Sequence, residues 1–118
     1  MRHQARSEDL PTVNRFVVVL KPTEAYLNWA NSCPGDGPEI TLAELREECT
    51  AYLIPGVEDP RAWIRRHFMP MFEWELAAWC TDETYWPKER TYQLFKKFFE
   101  IEIHSIVVDL GKGPVRHE

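Results

Sequence analysis

Five consecutive apolar residues, Phe16-Val17-Val18-Val19-Leu20, open the patterned part of the chain. A run this β-branched and apolar at every position predicts a strand covered on both faces, not one with a wet face. Pro22 ends it. Thr23 then reads as a helix cap, with Glu24 favourable at the positive end of the helix dipole. Tyr26, Trp29, Ala30 and Cys33 follow at helical spacing, which gives that helix one apolar face. The stretch Cys33-Pro34-Gly35-Asp36-Gly37-Pro38 is rich in breakers and predicts a loop.

Thr41-Leu42-Ala43-Glu44 has the spacing of a capping box, with a hydroxyl at the cap and a carboxylate three residues on. It predicts a short helix to about Glu48. Thr50 to Ile54 reads as a second strand, ended by Pro55-Gly56. Asp59-Pro60 is a helix start, and Trp63, Ile64, His67 and Phe68 are expected to point inward. Pro70 removes a hydrogen bond and clashes with the preceding turn, so a kink, or two helices meeting at Met69-Pro70, is expected. Phe72, Leu76 and Trp79 form the next apolar stripe, with Glu73 off it. After a polar and aromatic turn over 81–87, Pro87 is expected to open a helix over 87–99. Its inner face is Thr91, Leu94, Phe95, Phe98 and Phe99; Lys88, Lys96 and Lys97 face water. From Glu100 to Leu110 the period changes to two. Ile101, Ile103, Ser105 and Val107 share one face; Glu102, His104, Ile106 and Val108 share the other.

The order is β-α-α-β-α-α-α-β. It predicts an α+β fold: a small three-stranded mixed sheet packed with four to five helices, its first two strands open to a right-handed crossover. With 118 residues the chain has the size of one domain, long enough to bury a core without disulfide or metal support. Residues 1–13 are expected as a flexible N-terminal tail, 14–110 as the domain and 111–118 as a flexible C-terminal tail.

Charge narrows the function classes. The net charge is −5, and residues 23–59 carry eight acids against one base. That balance disfavours a general nucleic-acid binder, which needs a basic surface against phosphates, and suits a solvated body or a partner with a basic patch. The start has no apolar stretch of a secretory signal, and no run approaches the roughly 20 apolar residues of a membrane helix. The three cysteines, Cys33, Cys49 and Cys80, show no CxxC spacing and read as reduced, buried thiols. A cytoplasmic setting is expected. Nucleotide-binding glycine loops, the GxSxG nucleophile turn and HExxH are missing from the sequence, and no cofactor is expected.

Three residue sets carry candidate chemistry. Glu100, Glu102 and His104 share one strand face, about 7 Å apart in succession, and two carboxylates with an imidazole are a ligand set for a divalent metal. A straight strand cannot converge all three on one ion, so a further group, Asp82 or Glu83, is required. The competing account is a charged, half-exposed strand face. Arg61, Arg65 and Arg66 share a helix face that could take a phosphate or an acidic partner, or simply pair with Glu58 or Glu73. His67 reads more simply as a packed or half-exposed histidine, and Cys80 as a buried inert thiol, than as catalytic groups. The five tryptophans exceed what a core of this size ordinarily takes. Trp74 and Trp86 lie off the apolar stripes, and with Tyr85 and the arginine face they form a candidate protein-interaction surface. The alternative is that these rings cap the ends of the core.

The residues Phe16-Val17-Val18-Val19-Leu20-Lys21-Pro22-Thr23, Trp29-Ala30-Asn31-Ser32, Tyr52-Leu53-Ile54-Pro55, Trp79 with Thr81-Asp82-Glu83, Trp86-Pro87, Arg90-Thr91 and Phe99-Glu100-Ile101-Glu102-Ile103-His104-Ser105 resemble a family of small acidic bacterial proteins. Pro70 departs from that pattern, which expects an uninterrupted helix. The resemblance implies a bacterial cytoplasmic setting and brings no activity. Three readings follow. The first is a non-enzymatic protein-interaction module, an adaptor, regulator or inhibitor with an acidic, tryptophan-rich surface; a homodimer covering one sheet face is compatible with it. The second is a small metal-dependent or acid–base enzyme using Glu100, Glu102 and His104. The third is a weak RNA or phosphate binder through the arginine helix.

Overall fold

The computed structural model describes residues 10–35 and 37–118. The part of the expected tail over 1–9, and Asp36 in the breaker-rich loop, lie outside the described residues. The elements are β1 (Arg15–Pro22), α1 (Glu24–Ser32), α2 (Leu42–Leu45), β2 (Ala51–Pro55), α3 (Pro60–Trp79), a 3-10 turn (Glu83–Tyr85), α4 (Tyr92–Phe98) and β3 (Phe99–His104). The fold is α+β. The strand order is β2-β1-β3, and both pairings are antiparallel.

The sheet is therefore not mixed, and β1 and β2 are not joined by a crossover. A crossover would return the chain along the length of β1. Here α1 leads outward, and the proline–glycine loop with one-turn α2 brings the chain back to the end it left. The Leu20 N–H donates to the Thr50 carbonyl there, and β2 starts opposite Val19. Thr41 and Glu44 form the full capping box, each satisfying the other's backbone N–H.

Helix α3 is continuous across Pro70 but kinked at His67, where φ is −126° and ψ is 17°. The kink falls upstream of the proline because its ring clashes with the carbonyl four residues earlier, at Arg66. His67, expected inward, is exposed. Its ring stacks on Trp63, with 4.2 Å between centroids, and Nδ1 meets the Trp63 carbonyl at 2.8 Å. α4 starts at Tyr92 and not at Pro87. Thr91 is its cap, accepting from the Leu94 N–H, while the Pro87 carbonyl is taken by the Arg90 guanidinium.

All four helices lie on one face of the sheet. On that face Val18, Leu20, Ile54 and Phe99 are buried, and Phe72 and Phe95 pack over them. Phe72–Phe95 and Phe95–Phe99 centroids are both 5.4 Å apart, within the range of edge-to-face and tilted aromatic pairs. The opposite face carries Val17, Val19 and Lys21 of β1, Ala51 and Leu53 of β2, and Glu100, Glu102 and His104 of β3, by the pairing register. The expectation that β1 is covered on both faces is thus corrected. Among the described residues no helix covers its second face, and Leu53 beside it is 56% exposed.

Pairing continues past β3. Thr12 bridges Val108, the Val13 N–H donates to Val107, and the Asp109 N–H donates to Pro11. Residues 11–13, expected in the tail, are backbone-paired. Among the described residues no helix is long and apolar enough to cross a membrane.

Candidate functional site

Three of the five tryptophans act as cross-links. The indole N–H of Trp29 donates to the Tyr85 carbonyl at 2.9 Å, that of Trp79 to Ala30 at 2.8 Å, and that of Trp86 to Cys80 at 2.7 Å. Together they tie α1, the end of α3 and the following turn into one block. Trp86, expected on an interaction surface, is only 8% exposed, and the Arg90 guanidinium lies 5.6 Å from its ring centroid. It reaches the core because the 3-10 turn folds the chain back under the end of α3. Trp74 is different: it is 63% exposed. Tyr85 is also exposed, and its carbonyl serves Trp29.

The feature that sequence reading missed is Glu75. This side chain is 8% exposed, on the sheet-facing side of α3 one turn from Met71. The Tyr52 hydroxyl, from β2, donates to one of its carboxylate oxygens, and the Tyr26 hydroxyl donates to its backbone carbonyl at 2.9 Å. Burial pushes the Glu75 carboxyl above its ordinary value, because the charged form loses water; hydrogen bonds from Tyr52 and Thr50 oppose that shift. The same burial, and the nearby Glu75 charge, raise the Tyr26 and Tyr52 hydroxyls, so both are neutral donors.

Glu75 forms part of the floor of a cavity of about 390 Å³. Tyr26 and Trp79 line its walls, and Glu44, Glu47 and Glu48 line it from α2 and the segment after it. Those three glutamates are exposed, so the cavity has an acidic rim and a less hydrated acidic floor. Trp74 lies one helical turn before Ala78, which also lines the cavity, so an exposed indole stands on the adjoining helix surface. Cys49 lines it too, with its thiol raised above the ordinary range by burial and therefore a poor nucleophile. Cys33 and Cys80 line a second, smaller cavity. Burial, then the neighbouring Cys80 thiol, raises Cys33.

The Glu-x-Glu-x-His set lies on the open sheet face. Lys21 Nζ is 2.9 Å from one Glu102 oxygen, and His104 Nε2 is 2.8 Å from the other. These two partners hold the Glu102 carboxyl below its ordinary value, the His104 hydrogen bond contributing most. Glu100 pairs with Arg46 at 3.1 Å. Asp82 is occupied in its own turn, accepting from the Thr84 N–H and hydroxyl. Among the described residues no three His, Cys, Asp or Glu side chains are arranged to hold a metal ion.

The arginines divide. Arg61 and Arg65 line a cleft with Lys96 and Gln93 of α4, and Arg66 is not among the residues lining it. Glu73, one candidate partner for them, instead lies 3.9 Å from Arg90. No protein-family model, curated protein or solved structure matches the chain.

Proposed function

We propose that the protein is a non-enzymatic interaction module that receives a basic side chain of a partner protein in the acidic cavity. The observation that carries this reading is the buried Glu75 carboxyl at the floor of a cavity walled by Tyr26 and Trp79 and rimmed by three glutamates. An ammonium or guanidinium entering it exchanges water for a charge-assisted hydrogen bond and for aromatic faces that attract cations. At about 390 Å³ the cavity falls at the small end of ligand pockets, roughly 300–1,000 Å³, which suits one long side chain more than a large cofactor. Exposed Trp74 supplies the adjoining apolar anchor, a residue type that recurs where binding energy is concentrated.

The enzyme reading has less support. Glu102 is engaged by Lys21 and His104, and none of Glu100, Glu102 and His104 lines the acidic cavity.

The test is a calorimetric titration with two peptides of one sequence, bearing either lysine or glutamate at a central position. Only the lysine peptide is expected to bind. Glu75→Gln, which retains an acceptor for Tyr52, should weaken it roughly tenfold to a hundredfold, as loss of one charge-assisted bond of about 1.5–3 kcal/mol implies. Equal binding of both peptides, or full affinity in the Glu75→Gln variant, defeats the proposal.

A further inference from the structure

The first two turns of α3 and the outer side of α4 enclose a cleft of about 390 Å³ lined by Asp59, Arg61, Ala62, Arg65, Tyr92, Gln93 and Lys96. It shares no lining residue with the acidic cavity. Arg61 and Arg65 are one helical turn apart and so project from the same side of α3. Lys96 comes from the other helix, its ammonium 5.1 Å from the Tyr92 ring centroid. Tyr92 is anchored below by Phe68 and Phe95, at centroid distances of 5.4 and 6.1 Å, which makes that wall rigid.

Charge makes the cleft unusual for this chain. The protein as a whole has a net charge of −5, yet here three cations meet a single carboxylate, that of Asp59. Asp59 is itself engaged as the α3 cap, with one oxygen accepting the Ala62 N–H at 3.1 Å. The local excess is two positive charges. That matches a phosphomonoester, which carries about −1.5 to −2 at neutral pH. Two guanidiniums offer forked donors to phosphate oxygens, Lys96 adds a point charge, and the Gln93 amide adds a neutral donor.

We propose that this cleft is a binding site for a phosphomonoester dianion, held by Arg61, Arg65 and Lys96, with Asp59 setting an upper limit on its affinity. A nucleic acid fits less well, since its diesters carry single charges spaced along a strand, and the basic residues here are gathered in one cleft and not extended as a track.

The experiment is an amide NMR titration of the full chain with inorganic phosphate, with O-phosphoserine, and with sodium chloride at matched ionic strength. Phosphate and O-phosphoserine should each give saturable shifts at Ala62, Arg65 and Gln93 that chloride does not reproduce. Equal affinities identify the phosphate group as the whole determinant; tighter O-phosphoserine binding identifies a ligand with an organic part. Either upholds the site. The double variant R61Q/R65Q, both positions exposed and outside the core, should weaken binding by roughly tenfold or more. Asp59→Asn keeps a good helix cap while removing the carboxylate, and should tighten binding several-fold. Any of these results overturns the proposal: no saturable shifts, shifts that chloride reproduces, unchanged affinity in R61Q/R65Q, or tighter binding of a short 5′-hydroxyl RNA than of phosphate and O-phosphoserine.

Discussion

The two faces of the sheet begin from the same material and end differently. Val18 and Leu20 lie beneath the helices and are fully buried, while Val17 and Val19, their neighbours on β1, face the open side among charged residues. The inner face is completed by aromatic rings from α3, α4 and the start of β3, the outer by Lys21, Glu102 and His104, which pair with one another. Both connections, through α1 and α2 and through α3 and α4, run on one side. They meet there through contacts such as Tyr26 with Phe98, at 5.9 Å between centroids. A strand apolar at every position is therefore not evidence of two covered faces. Among the described residues, the central strand of this three-stranded sheet is shielded on its open side by side chains beside it and not by a helix.

Truncation tests that contrast most strongly. Leu20→Ala, inside, should cost about 2–5 kcal/mol, whereas Leu53→Ala on the open face should stay within about 0.5 kcal/mol. Chemical denaturation of the two variants measures the difference. Similar losses would mean that the outer face is also covered, as a second copy of the chain would do.

A middle-sized effect comes from Glu75, a carboxyl buried among these core residues. Its folded-state pKa is raised above the ordinary 4.5, so over the pH range between the unfolded and folded values the folded protein holds a proton that the unfolded chain releases. Its contribution is fully present below the unfolded value and is lost as pH rises through the folded one. Glu75→Gln removes that loss. Its melting temperature, relative to the wild type, should climb as pH rises above 4.5 and level off once the folded carboxyl has ionised; a pH-independent difference would show that burial does not govern this carboxyl.

The smallest effect is expected on the open face. Glu102 has a lowered folded-state pKa, so its contribution is present above the ordinary 4.5 and fades as pH falls through the folded value. Glu102→Gln should therefore lower the melting temperature only slightly at neutral pH and low salt. The difference should vanish in high salt, because both partners are solvent-screened. A large, salt-resistant loss would mean that this triad is shielded from water in solution.

Much of the local structure was legible from residues close in sequence. The capping box at Thr41 and Glu44 and the Asp59-Pro60 start each involve partners within four residues, and each forms; the alternation from Glu100 gives a strand only as far as His104, short of the expected Leu110. The kink before Pro70 was legible in kind; its place at His67 depends on which carbonyl the proline ring meets. The acidic cavity was not legible. Glu75 lies 23 residues from Tyr52 and 49 from Tyr26, and nothing near it in sequence marks it for burial. Trp86 misled for a different reason: it lies off the helical stripes, but a 3-10 turn closed by local bonds from the Tyr85 N–H to Asp82 and from the Trp86 N–H to Glu83 turns it inward, where its indole meets the Cys80 carbonyl.

The sequence by itself determined the kind and order of the main strands and helices, which residues share a side, and the acidic balance of the chain. Those properties follow from backbone sterics, side-chain periodicity and charge, which act over a turn or a strand. Only the tertiary structure decided which side of β1 is covered, and that Glu75 is drawn from water. It also decided that Arg61 and Arg65 face Lys96 across a cleft. Such outcomes depend on contacts between residues far apart in the chain, and their geometry exists only once the helices have packed against one another and the sheet.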